Sequence, residues 1–122
     1  MTKTVLLVED EQNIMEAIRF ILSRAGWRVE VHSRGDTALA EIERVRPDVL
    51  ILDVMLPNRS GYDILRDVRA HDDLSALPIL MLTARGQTKD REMAEQFGVN
   101  CFMTKPFSNS EVLECINKLA EV

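Results

Sequence analysis

Two cysteines in 122 residues are too few for a disulfide framework, and a chain of this length buries enough surface to fold without one. Cys101 and Cys115 therefore read as small apolar side chains in a reducing compartment, although counting alone leaves a bridge between them open. Cations are in deficit too. Fifteen Lys and Arg stand against 20 Asp and Glu, a formal net charge of −5, whereas binding to nucleic acid or an anionic membrane needs clustered positive charge. Direct nucleic-acid contact is therefore not expected of this chain. No apolar stretch approaches the roughly 20 residues of a membrane-spanning helix. Met1-Thr2-Lys3-Thr4 leads straight into a strand-like run, without the apolar core or cleavage site of a signal peptide, so a cytoplasmic location is expected. Repeats, low-complexity tracts and breaks in composition are missing as well. With 46% hydrophobic and 29% charged residues the chain lies outside the disordered class, and a single domain over residues 1–122 is expected.

What is present is a regular alternation. Short runs of Val, Ile and Leu at Val5–Val8, Val49–Leu52 and Ile79–Leu82 are too short for helices and too continuous for half-exposed strands, and predict buried parallel strands. Arg28–His32 and Cys101–Thr104 are weaker strand candidates. Helical spacing fills each gap. Ile14, Ile18, Ile21, Leu22 and Ala25 share one face before Gly26, a left-handed stop. Ala38, Leu39, Ile42 and Val45 form the second such face, and Ile64, Leu65 and Val68 the third. Met93, Ala94 and Phe97 precede Gly98, and Val112, Leu113, Ile116 and Leu119 follow Ser108 or Ser110 as cap. Five strands alternating with five helices predict an α/β doubly wound sheet covered on both faces, with its ligand site beyond the carboxyl ends of the strands.

Those ends carry a particular set of groups. Glu9-Asp10 follows the first strand, Asp53 the third, Thr83 the fourth and Lys105 the fifth. Where a nucleotide-binding protein places glycines after its first strand, this chain has Glu9-Asp10-Glu11, which would repel an anion. Glu9, Asp10 and Asp53 crowded together cannot all ionise comfortably, and a hard, oxygen-seeking divalent cation such as Mg²⁺ relieves the repulsion. Beside such a cation the Asp53 carboxylate becomes a competent nucleophile toward phosphorus, with an acyl phosphate as product. Lys105 can pair with the added charge, and the Thr83 hydroxyl can donate to a phosphoryl oxygen. A cis bond before Pro106 would hold the turn carrying Lys105 in one shape.

The segments VLLVEDE at 5–11, LILDVMLPNRSGYDIL at 50–65, LTAR at 82–85 and MTKPF at 103–107 are similar to the response-regulator receiver family of two-component signalling, over essentially the whole chain. The resemblance implies a flavodoxin-like (βα)5 fold with strand order 2-1-3-4-5. It also implies that Glu9 and Asp10 hold Mg²⁺ together with Asp53 and the backbone carbonyl of Met55. Asp53 becomes the phosphoacceptor, with Lys105 as the phosphate-pairing lysine, Thr83 as the switch hydroxyl and Phe102 as a rotating aromatic. Glu9 stands where Asp is commoner in the family. The implied phosphoryl donor is a histidine kinase or a histidine phosphotransfer protein, and the output is an unknown partner or a covalently linked output domain. The chain would then be a switch that catalyses its own phosphorylation and dephosphorylation, and not an enzyme on external substrates. Arg91 and Glu111 fit the salt-bridge set by which such domains dimerise in transcription factors, but Cys101 and Cys115 stand where an acidic and a basic residue are expected.

Plainer readings compete at each position. Asp53 can be a turn-forming carboxylate, Glu9-Asp10 a helix-dipole complement, Thr83 a β-branched strand end and Phe102 ordinary core. His32 and His71 read as solvated surface. At the level of function, the alternatives are a Mg²⁺-dependent aspartyl-phosphate phosphatase, against which the lack of any insertion long enough for a substrate cap argues, and a degenerate receiver used only for docking, against which the intact residue set argues.

Overall fold

A computed structural model describes residues 2–84 and 88–121. Five strands, β1 (Thr4–Val8), β2 (Arg28–His32), β3 (Val49–Asp53), β4 (Ile79–Thr83) and β5 (Cys101–Thr104), alternate with five helices, α1 (Gln12–Arg24), α2 (Ala38–Val45), α3 (Gly61–Ala70), α4 (Thr88–Gln96) and α5 (Asn109–Ala120). The strands form one parallel sheet of order β2-β1-β3-β4-β5. β3 and β4 are buried at every position, which is why their sequences run without polar interruption.

The two-residue pleat sorts the core into two layers. Leu6, Val8, Leu50, Leu52 and Met81 face Ala38, Ile42, Ile64, Leu65, Val68 and Ala94 of α2, α3 and α4. Val5, Leu7, Val49, Ile51, Leu80 and Leu82 face Met15, Ile18, Leu22, Val112 and Ile116 of α1 and α5. Two side chains assigned above to helix faces are exposed: Ala25 past the end of α1, and Met93, at 39%, on α4. Met15 takes the inward place one turn before Ile18, which the apolar periodicity passed over. α4 buries just Ala94, so its packing is the lightest of the five.

Helix ends follow local chemistry. Gly26 at φ +97° and Gly98 at φ +89° take the left-handed conformation after α1 and α4. Arg46 does the same after α2, at φ 51°, without the help of a glycine. Ser108, and not Ser110, caps α5 in a full capping box with Glu111. Arg69 ties the end of α3 to the segments entering β4 and β5 through hydrogen bonds to the carbonyls of Ser75, Leu77 and Gly98 and to Asn100 Oδ1. The Lys105–Pro106 bond is cis.

Candidate functional site

β1 and β3 are neighbours whose connections leave toward opposite faces, so a crevice opens beyond their carboxyl ends. Glu9 enters it fully buried. Its Oε2 accepts hydrogen bonds from the backbone N–H groups of Asp10 and Glu11, both at 3.0 Å, so the side chain folds back onto the amino end of α1. That fold leaves Oε1 buried and facing the crevice. Lys105 Nζ lies 3.0 Å away, but no well-aligned hydrogen bond reaches Oε1 among the described residues. Asp53 ends β3 at 1% exposure. Carboxylate oxygens of Glu9, Asp10 and Asp53 lie within 4.8 Å of one another.

Lys105 opposes this charge. From the turn after β5 its Nζ also lies 3.3 Å from Asp53 Oδ1 and 3.4 Å from Glu11 Oε1. The turn is anchored by the Lys105 N–H, which donates to the Thr83 carbonyl at 2.7 Å. Thr83 ends β4 at 2% exposure. Burial, reinforced by the Glu9 charge and only partly opposed by Lys105, pushes the Asp53 carboxyl up to about 7. Burial pulls the Lys105 ammonium down, but its bonds and charge interactions with Glu9 and Asp53 outweigh that and its pKa is raised. Among the described residues one ammonium stands among four carboxylates, which leaves this part of the crevice short of positive charge. The shortage, the buried Glu9 oxygen turned into the crevice and the all-oxygen donor set fit a small hard divalent cation.

The structure thus gathers Glu9, Asp10, Asp53, Thr83 and Lys105 at one edge. Met55 lies in the β3–α3 loop, two residues past Asp53, and is 68% exposed. Phe102, 7% exposed, points into the layer under α2, α3 and α4, and the Arg91 guanidinium lies 5.2 Å from its ring centroid. Arg91 and Glu111, expected as dimer salt-bridge residues, are engaged within the chain, Arg91 on this ring and Glu111 in the α5 capping box. Arg85 of the LTAR segment lies outside the described residues. The histidines are not simply solvated. His32 is half-buried between Thr37 Oγ1 at 2.7 Å and Glu41 at 3.3 Å, and His71 pairs with Glu43 at 3.1 Å.

Sequence reasoning missed Gly61. A Cβ there would overlap the Asp53 carbonyl oxygen, and the Gly61 N–H donates to the Val54 carbonyl at 2.9 Å. This glycine lets the start of α3 press against the strand end that carries Asp53. A lone glycine just after a serine cap was the available signal.

A doubly wound sheet whose switch-point crevice holds buried carboxylates, a lysine and a hydroxyl defines a class of cation-assisted phosphoryl-handling domains, as distinct from the glycine-lined nucleotide binders. The model of the response regulator receiver domain matches residues 5–117, and the chain belongs to that family, whose members act in two-component signalling. The transcriptional regulatory protein TrcR of Mycobacterium tuberculosis is 44% identical over 109 residues, covering 89% of this chain and 42% of TrcR. The alkaline phosphatase synthesis transcriptional regulatory protein PhoP of Bacillus subtilis is 38% identical over 112 residues, covering 92% of this chain and 46% of PhoP. The chain thus spans a little under half the length of these relatives. The receiver domain of sensor histidine kinase PA1611 from Pseudomonas aeruginosa, solved with a magnesium ion coordinated in its active-site cleft, superposes with a TM-score of 0.91 at 32% identity, each chain fully covered. Among the described residues no helix is long and apolar enough to cross a membrane.

Proposed function

We propose that residues 1–122 act as one receiver unit in which Asp53 accepts a phosphoryl group from a phosphohistidine of a histidine kinase or histidine phosphotransfer protein. The observation that carries this reading is the buried Asp53 carboxylate with Lys105 at 3.3 Å inside a cluster of three acidic side chains. Glu9, Asp10, Asp53 and the Met55 backbone carbonyl would hold Mg²⁺, which when bound offsets phosphoryl charge. In the transfer an Asp53 Oδ attacks phosphorus, the P–N bond to imidazole breaks, and the freed imidazole nitrogen takes up a proton. The reaction needs the ionised carboxylate, so whatever lowers the Asp53 pKa from about 7 prepares the nucleophile. Lys105 then trades its contacts with Glu9 and Glu11 for the new phosphoryl oxygens, and the Thr83 hydroxyl donates to one of them. Movement of Thr83 opens space for Phe102 to turn, which rebalances the surface formed by α4, β5 and α5. The same residues assist the transfer and the later hydrolysis, so both steps belong to the domain itself.

The proposed setting is the cytoplasm, and the output is a linked domain or a separate partner that reads the α4–β5–α5 surface. Acetyl phosphate with Mg²⁺ should add one phosphoryl mass to the wild type and none to Asp53→Asn. A phosphorylated Thr83→Ala protein should bind its output partner as the unphosphorylated protein does. No phosphoryl mass on the wild type, or equal labelling of Asp53→Asn, overturns the reading.

A further inference from the structure

The most informative feature outside the crevice is the pair formed by Cys101, the first residue of β5, and Cys115, in the middle of α5. These are the chain's two cysteines, 14 residues apart, and the structure brings their sulfurs into contact. The sequence led us to expect buried apolar side chains, yet both are half-buried and line an open groove of about 660 Å³ with Met103, Glu111, Glu114 and Lys118. A reagent from solvent therefore has a path to them.

We propose that Cys101 and Cys115 form a reversible dithiol–disulfide modification site that fixes α5 to the edge strand β5, with small-molecule disulfides as oxidant. The electrons balance through two exchanges. One cysteine thiolate attacks a sulfur of the small disulfide, whose S–S bond breaks to release a thiolate that takes up a proton. The second cysteine, also as thiolate, attacks the protein sulfur of the mixed disulfide and expels the other small thiol. The chain loses two hydrogens and the reagent becomes two thiols. Since the partner sulfur is already in contact, the second step is intramolecular and the mixed disulfide does not accumulate.

Two features give the site its character. The bridge ties the first residue of β5 to the middle of α5, across a Cα separation of 7.1 Å. That tie lies on the surface through which the proposed switch would be read, but the chemistry does not depend on phosphorylation. The groove is also acidic, with Glu111, Glu114 and Glu121 against Lys118. A cationic disulfide such as cystamine should therefore react several-fold faster than anionic glutathione disulfide at low salt, with the difference shrinking as salt is added.

The test treats the folded full chain with cystamine, then alkylates it under denaturing conditions and measures the intact mass. The expected wild-type product is lighter by two hydrogens, unalkylated, monomeric and restored by dithiothreitol, and its α5 amides exchange more slowly than in the reduced form. Cys115→Ser and Cys101→Ser should each stop at a single cysteamine adduct, and their native circular dichroism would show that they fold. Asp53→Asn should close the bridge as the wild type does, so failure here and failure of phosphorylation are separate results. Two alkylated cysteines, two stable cysteamine adducts or a covalent dimer from the wild type would each overturn the proposal.

Discussion

Lys105 Nζ stands 3.3 Å from Asp53 Oδ1, reaching from the turn after β5 to the end of β3 across β4. The same ammonium contacts Glu9 and Glu11, so a single positive charge is divided among three acids. Neutralisation is therefore partial.

Without a divalent cation, stability should fall as pH rises from about 4 to about 7. In that window the folded Asp53 keeps a proton that the unfolded chain has already released, so the unfolded state binds fewer protons and deprotonation favours it. Above about 7 both states are ionised and the loss is complete, on the order of 4 kcal/mol for a rise of about three pH units at a buried carboxyl. Urea denaturation at pH 5 and pH 8 in chelator should show the difference in the wild type and lose it in Asp53→Asn. Millimolar Mg²⁺ should restore stability at pH 8 by mass action.

Lys105→Ala should destabilise the metal-free protein by about 3 kcal/mol at pH 8, because Glu9 and Asp53 lose the cation that pairs with both in the interior. The cost should be smaller at pH 5, where Asp53 is protonated. Guanidinium titrations of the two proteins at both pH values measure it, and an equal loss at each would mean that packing of the lysine stem dominates.

Gly61→Ala should cost about 1–3 kcal/mol, since the added methyl overlaps the Asp53 carbonyl and the β3–α3 loop must shift. The shift moves the end of β3, so calorimetric titration should also show weaker Mg²⁺ binding. Unchanged affinity would place the strain elsewhere in the loop.

Arg69→Ala should lower stability by about 2–3 kcal/mol by leaving the carbonyls of Ser75, Leu77 and Gly98 without their donor. Lysine should rescue little, because a single ammonium cannot reproduce the planar fork that serves several acceptors at once. Thermal unfolding of the Ala and Lys variants compares them.

Much of the fold was legible before any coordinates. The predicted strands Arg28–His32 and Cys101–Thr104 match β2 and β5, and the other three are longer by one residue at an end. Gly26 and Gly98 mark helix ends because few other residues tolerate their backbone conformation. Misreadings fell where spacing alone cannot rank side chains. Met93 shares a helical face with Ala94, but α4 lies on the sheet so lightly that one small residue fills the contact.

By itself the sequence determined the alternation of strands and helices, because apolar periodicity is a local property of the chain, and it placed acids, a hydroxyl and a lysine at strand ends. It could not set their distances, which depend on how five strands are ordered and registered. Tertiary structure decided that Glu9 turns one oxygen to the start of α1 and leaves the other in the crevice, and that Lys105 is shared among three carboxylates. It also brought the sulfurs of Cys101 and Cys115 together and set Arg91 over Phe102. Charge, burial and sulfur chemistry act over a few ångströms, and packing alone brings residues distant in the chain that close.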